Sequence, residues 1–261
     1  MTLMKHEMKL GRTALIIWTL AIGLMLAVCV LIYPEMKSEM DSMTAMFSSM
    51  GAFTAAFGMD RINFGEFTGF YSVECGNIIG LGGAFFAALL GISALAKEEK
   101  DHTAEFLLTH PLKRRDVVTG KLCSILAQIL LLNLMVFLLV VASVLAIGEK
   151  IDWTPLFLLH LSNALLQLET ALICFGISAF LKRGSLGIGM GVAMIFYFLN
   201  LVANITDSLE FLKYFTPFSY TEGADILADG HLNAPFLTIG IICTLIGGIA
   251  AYVKYCRKDI A

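Results

Sequence analysis

Long apolar runs alternate along this chain with short polar segments. Six runs, at about 13–33, 76–96, 122–147, 156–181, 185–205 and 234–253, are each long enough to cross a bilayer as a helix, which takes roughly 20 residues. The fourth, Leu156 to Leu181, is interrupted by His160, Asn163, Gln167 and Glu169. The pattern predicts an all-α polytopic membrane protein of about six transmembrane helices, forming one transmembrane domain over residues 1–261. Composition agrees, because 58% apolar and 15% charged residues exceed what a globular core needs. The basic start Lys5, Lys9 and Arg12 precedes a run that ends Tyr33-Pro34-Glu35 without a small-x-small cleavage site. That reads as an uncleaved first span.

The polar segments orient the spans. With the N-terminal segment inside, fourteen of the 18 Lys and Arg residues fall on inner segments, and only Lys37, Arg61, Lys150 and Lys213 fall outside. The positive-inside rule therefore places both termini in the cytoplasm and makes this a multi-pass protein of the cytoplasmic (inner) membrane. Outer segments are acidic, and no segment forms a basic, aromatic-interleaved surface, so a nucleic-acid partner is excluded while the lipid bilayer is a certain one. Six single cysteines, among them Cys75 near the outer side, lack the spacing of a zinc or redox site and predict no structural disulfide.

Two outer stretches carry their own patterns. From Pro34 to Glu74, Met36, Met40, Met43, Phe47 and Met50 recur three or four apart, which predicts an amphipathic outer helix against the membrane or the spans. Methionines of this kind either pack or collect a soft metal such as Cu(I); no metal ligands are assigned. Phe211 to Phe218 combines aromatic anchors with Pro217, as at a membrane interface.

The inner segment 97–121 is the most informative. Ala104, Leu107 and Leu108 fall at i, i+3 and i+4, Asp101 or Thr103 can cap a helix, and Pro111 forbids its continuation. A short amphipathic helix followed by Lys113, Arg114 and Arg115 either fixes topology or gives a soluble partner a handle. The order Glu98-Glu99, then Thr103-x-Glu105-x-Leu107-Leu108, then Pro111, Arg114 and Gly120-Lys121 resembles ABC transporter permeases of the type-2, export-like class. Ala55 to Asp60 and Thr216 to Tyr220 are similar to segments of the same family, so the resemblance covers roughly residues 50–260. His102 and Lys113 depart from its usual glycine and small hydroxyl residue.

The resemblance implies a membrane-spanning permease subunit, not itself an enzyme, that exports a substrate. The segment 97–121 would hold a coupling helix, with Glu98, Glu99, Thr103, Glu105, Leu108, Pro111 and Arg114 docking on a separate ATP-binding cassette subunit. A second copy or a homologous permease would complete a dimer. No Gly-x4-Gly-Lys-Ser/Thr loop occurs, so this chain has no cofactor and ATP with Mg belongs to the partner.

Polar residues inside the spans complete the candidate list. Gln128, Asn133, Gln167, Glu169 and Asn200 are costly in hydrocarbon unless they face protein or a cavity, and they mark a possible substrate pathway or interhelical hydrogen bonds. Glu169 could contact substrate, carry a proton or pair with Gln128, and a proton-coupled secondary transporter using Glu169 is the alternative reading. His160 lies on the opposite face of the same helix. Gly83, Ala87 and Gly91, and likewise Gly187 and Gly191, predict close-packed helix seams. No cluster of histidine, cysteine and carboxylate side chains with ligand spacing, and no nucleophile motif, points to an enzyme.

Overall fold

Each apolar run lies in a helix of the computed structural model, which describes residues 2–48, 50–96, 113–149, 151–181 and 185–257. The described residues are 88% helical and include no strand. Helix α1 (Thr2–Ser48) is followed by the short α2 (Ala52–Ala56) and a turn at Met59–Arg61. The second span comprises α3 (Phe67–Cys75), a π-helical stretch (Gly76–Leu81) and α4 (Gly82–Ala94). Then come α5 (Arg114–Ile147), α6 (Trp153–Ser178) and α7 (Leu186–Ile205), two 3₁₀ segments (Asp207–Phe215 and Pro217–Thr221), α8 (Gly223–Asp229) and α9 (Ala234–Arg257). Six of these helical stretches are long and apolar enough to span a bilayer.

Helix α6 sits between the second span and α9, and glycines allow the approach on both flanks. A side chain at Gly91 would meet Cys174 Cβ at 2.9 Å and Phe175 N at 3.0 Å, and one at Gly83 would collide with Gln167. On the other flank a side chain at Gly176 would meet Gly247 O at 2.9 Å. Without an aqueous hydrophobic effect between helices, such backbone proximity supplies the dispersion contact that holds spans together. The predicted seam at Gly187 and Gly191 is not formed within the chain: Gly191 meets nothing, whereas Gly189 lies against Ile92 and Ala88 of α4. The two predicted glycines fall on the other face of α7, where Ile188 and Ile195 are exposed.

Helices α1 and α5 form the second unit. They pack along much of their length and are tied near both ends, by Glu7–Lys121 at 3.2 Å and Lys37–Glu149 at 2.8 Å. Helical rise puts the two pairs roughly 45 Å apart, beyond the roughly 30 Å hydrocarbon thickness. They bracket the bilayer core.

Three expectations change. The first helix does not end at Pro34 but runs through it to Ser48. Tertiary anchoring overrides the missing backbone donor: fully buried Tyr33 donates to Gly65 O at 2.9 Å and packs on Phe67 and Phe70 at 5.3 Å, while Lys37 grips Glu149. The expected separate amphipathic helix is therefore a continuation of α1; Met36 is half-buried, Met46 and Met50 are exposed, and the side chains of Met40, Met43 and Phe47 lie outside the described ones. Second, the second span begins at Phe67 instead of at about 76, so Cys75 lies within it and is fully buried. Third, the Phe211 to Phe218 segment divides: Phe211, Tyr214 and Phe215 are exposed, as expected of interfacial anchors, whereas Pro217 and Phe218 turn inward and are buried with Ser219 to Thr221.

Replacing Gly91 with leucine should separate α4 from α6 and lower the thermal midpoint of the detergent-solubilised protein, with an overpacking cost of about 1–3 kcal/mol. Gly191→Ala, in open space, should leave it unchanged. Equal midpoints for the two variants would refute the seam.

Candidate functional site

The polar residues that interrupt the fourth run share one buried face of α6. His160, Asn163, Gln167 and Thr170 lie at i, i+3, i+7 and i+10 and are all at most 5% exposed. Tyr71 Oη and His160 Nε2 share a 2.7 Å hydrogen bond. Asn163 Nδ2 donates to Leu159 O at 2.8 Å. Asn133 Nδ2, from α5, donates to Gln167 Oε1 at 2.7 Å, and Gln167 Nε2 donates back to Asn133 Oδ1 at 3.4 Å. His160 Nδ1, Asn163 Oδ1 and Thr170 Oγ1 remain buried without a hydrogen-bond partner among the described residues. The result is a polar seam through the bundle whose capacity for hydrogen bonding is not used up by the protein.

Glu169 leaves that face and points toward α9. Its Oε2 accepts from Tyr220 Oη at 3.0 Å, and a side chain at Gly240 would strike it. It does not pair with Gln128, because Tyr220 is carried inward to meet it. Thr216 accomplishes this by accepting from Phe218 N at 3.2 Å while donating to Phe196 O at 2.7 Å, which starts the Pro217–Thr221 turn against α7. Glu169 lines a cavity of about 130 Å³ with Phe196, Tyr214, Phe236 and Tyr220.

Asn200 belongs to a third cluster, on the outer side. Asn200 and Asn204, one turn apart on α7, donate to Glu222 Oε2 at 3.3 and 2.9 Å, and Asn204 also donates to Ala56 O at 3.3 Å. Gly58, at φ 65°, leaves room for the other carboxylate oxygen. Arg61 and Asp225 pair at 2.6 Å beside them. The segment after the first helix is thus pinned to the segment before the sixth span. Burial pushes the Glu222 carboxyl above its ordinary range, and the two asparagine donors offset this only in part.

The five intramembrane candidates therefore do not form one site. Asn133 and Gln167 pair with each other, whereas Glu169, Asn200 and Gln128 occupy three other places. Gln128 donates to Ser124 Oγ at 3.1 Å, and its buried Oε1 has no partner among the described residues. Of the docking candidates, Glu98, Glu99, Thr103, Glu105, Leu108 and Pro111 lie outside the described residues. Arg114 begins α5 and donates to Tyr255 O at 3.4 Å, joining the inner ends of the third and sixth spans. Tyr71, Tyr220, Asn204 and Glu222 escape sequence reasoning; only the four-residue spacing of Asn200 and Asn204 signals a shared helix face. Among the described residues, no group of three or more histidine, cysteine or carboxylate side chains could hold a metal ion.

The described residues thus form a six-span helical bundle with an incompletely satisfied polar seam. The family model described as ABC-2 family transporter protein matches residues 1–260, and the chain belongs to that family. No curated protein matches it.

Two measurements probe the seam and the outer cluster. In a double-mutant cycle, Asn133→Leu and Gln167→Leu should couple by about 0.5–2 kcal/mol of thermal stability, in the range of interhelical hydrogen bonds in bilayers; additive losses would mean the pair contributes nothing. For Glu222 the raised folded pKa makes its stabilisation complete below the ordinary carboxyl value and lost as pH rises through the folded value. The thermal midpoint should therefore fall from about pH 4 to about pH 8 by more in the wild type than in Glu222→Gln. Parallel pH profiles would contradict this.

Proposed function

We propose that this chain is the membrane-spanning permease subunit of an ATP-binding cassette transporter of the cytoplasmic membrane, exporting its substrate with ATP hydrolysed on a separate subunit. The family match over residues 1–260 carries the reading. In this reading the ATPase, with ATP and Mg, docks on the inner segment through Glu98, Glu99, Thr103, Glu105, Leu108, Pro111 and Arg114, and a second copy or a homologous permease completes the dimer. Displacement of the docked segment passes first to α5, whose start holds α9 through Arg114 and whose length holds α1 through the Glu7–Lys121 and Lys37–Glu149 pairs. The polar seam along α6 and the outer cluster at Glu222 are the groups a substrate meets as these helices shift. Both termini lie in the cytoplasm in this arrangement.

The test is affinity purification of the tagged protein in mild detergent, followed by identification of partners and an ATPase assay. A soluble Walker-motif ATPase should co-purify and hydrolyse ATP in a vanadate-sensitive way. Glu98→Ala or Glu105→Arg should abolish co-purification while membrane insertion persists. Undiminished co-purification would sink the docking assignment, and a lone homo-oligomer without ATPase activity would overturn the permease reading.

A further inference from the structure

Between α1, α4 and α5 lies a cavity of about 280 Å³ that is not part of the polar seam and whose two ends differ in chemistry. One end is polar. It holds the Glu7–Lys121 ion pair, Ser124, and Gln128, which is 4% exposed and whose Oε1 has no partner among the described residues. The other walls are apolar, with Leu10, Trp18, Phe86, Leu90 and Leu186. Leu10 and Leu186 are 52% and 53% exposed, so the cavity reaches the surface between two spanning helices whose outward faces are apolar. Its mouth therefore opens toward lipid.

Depth identifies what stands at that mouth. Lys121 and Glu149 mark the two ends of the α1–α5 pair, roughly 42 Å apart by helical rise. Centring a roughly 30 Å hydrocarbon layer between them puts Lys121 at headgroup level on its face of the bilayer, with Gln128 roughly 10 Å deeper, just inside the apolar layer. With the N-terminal end inside, that face is the inner leaflet.

Charge selects the headgroup. The ammonium of Lys121 donates and suits a phosphate, whereas Glu7 only accepts and suits a cation. The orphan on Gln128 is an acceptor, so the ligand must bring an N–H or O–H donor of its own. A purely anionic headgroup satisfies Lys121 but confronts Glu7. A choline headgroup brings a cation without an N–H. A primary ammonium beside a phosphodiester sets an anion against Lys121 and a cation against Glu7 while their ion pair persists, and it gives Gln128 Oε1 a donor.

We propose that this cavity binds the headgroup of an inner-leaflet phospholipid carrying a primary ammonium, its phosphate on Lys121 and its ammonium shared by Glu7 and Gln128 Oε1, with acyl chains leaving past Leu10 and Leu186. The proposal holds whatever ATPase drives the chain and whatever it transports.

Trp18 in the wall supplies the readout, since the sequence has 2 tryptophans and Trp153→Phe leaves Trp18 alone. The protein is reconstituted in vesicles with increasing fractions of brominated-chain phosphatidylethanolamine, phosphatidylcholine or phosphatidylglycerol, and Trp18 quenching is followed. Phosphatidylethanolamine should half-quench Trp18 at about a threefold to tenfold lower mole fraction than either other lipid, as expected for the net gain of one hydrogen bond. Glu7→Gln and Gln128→Met should each reduce the preference, and Glu7→Asp should retain most of it. Soluble phosphoethanolamine should not compete, because it lacks the chains that occupy the apolar walls. Equal quenching by the three lipids in the otherwise unchanged protein would overturn the proposal regardless of how the variants fold. A preference that survives both Glu7→Gln and Gln128→Met would place the selective site elsewhere and overturn it too.

Discussion

Hydrocarbon offers no hydrogen bonds, so every polar side chain on the fourth spanning helix must find its partner inside the protein or leave a demand that something else meets. That constraint organises the bundle. His160 takes Tyr71 and Gln167 takes Asn133, while Glu169 draws Tyr220 inward from the segment before the sixth span. Glycines on both neighbours then let those short contacts form. The helix that looks least suited to a membrane by composition is the one the others are built around.

The remaining spans answer a different requirement. Helices α1, α5, α7 and α9 expose apolar faces, with Ile17, Leu130, Ile195 and Ile249 each more than half exposed. Their charged contacts lie toward the ends, at Glu7–Lys121, Lys37–Glu149 and Arg114–Tyr255, and at the Asn200, Asn204 and Glu222 cluster, while Asn133 of α5 meets Gln167 within the span. Order within the hydrocarbon thus comes from α6, and register across the bilayer comes from charges at its edges.

Much of this was legible in sequence because run length and polar interruption are physical signals. The six spans follow from apolar runs alone, and the inward face of the fourth follows from the spacing of His160, Asn163 and Gln167. The partners were not legible. Tyr220 reaches Glu169 only because Thr216 turns its segment inward, and Asn200 meets Glu222, 22 positions further along the chain. The first apolar run stops at about 33 while the helix continues, because the anchoring of Tyr33 on Gly65, Phe67 and Phe70 comes from residues far along the chain. Gly187 and Gly191 misled because a repeat of small residues says nothing about which face meets a neighbour.

The composition of α6 also orders the biogenesis of the protein. A helix carrying His160, Asn163, Gln167 and Glu169 partitions into lipid less readily than α1 or α5 and gains its stability from contacts those earlier helices and the second span provide. On leaving the insertion machinery it therefore needs α4 and α5 already waiting. Its far flank is completed only when α9 arrives to lay Gly240 against Glu169 and Gly247 against Gly176. Synthesis from the first span to the last supplies the partners in that sequence, so the chain order is itself part of how a polar helix comes to rest in a membrane.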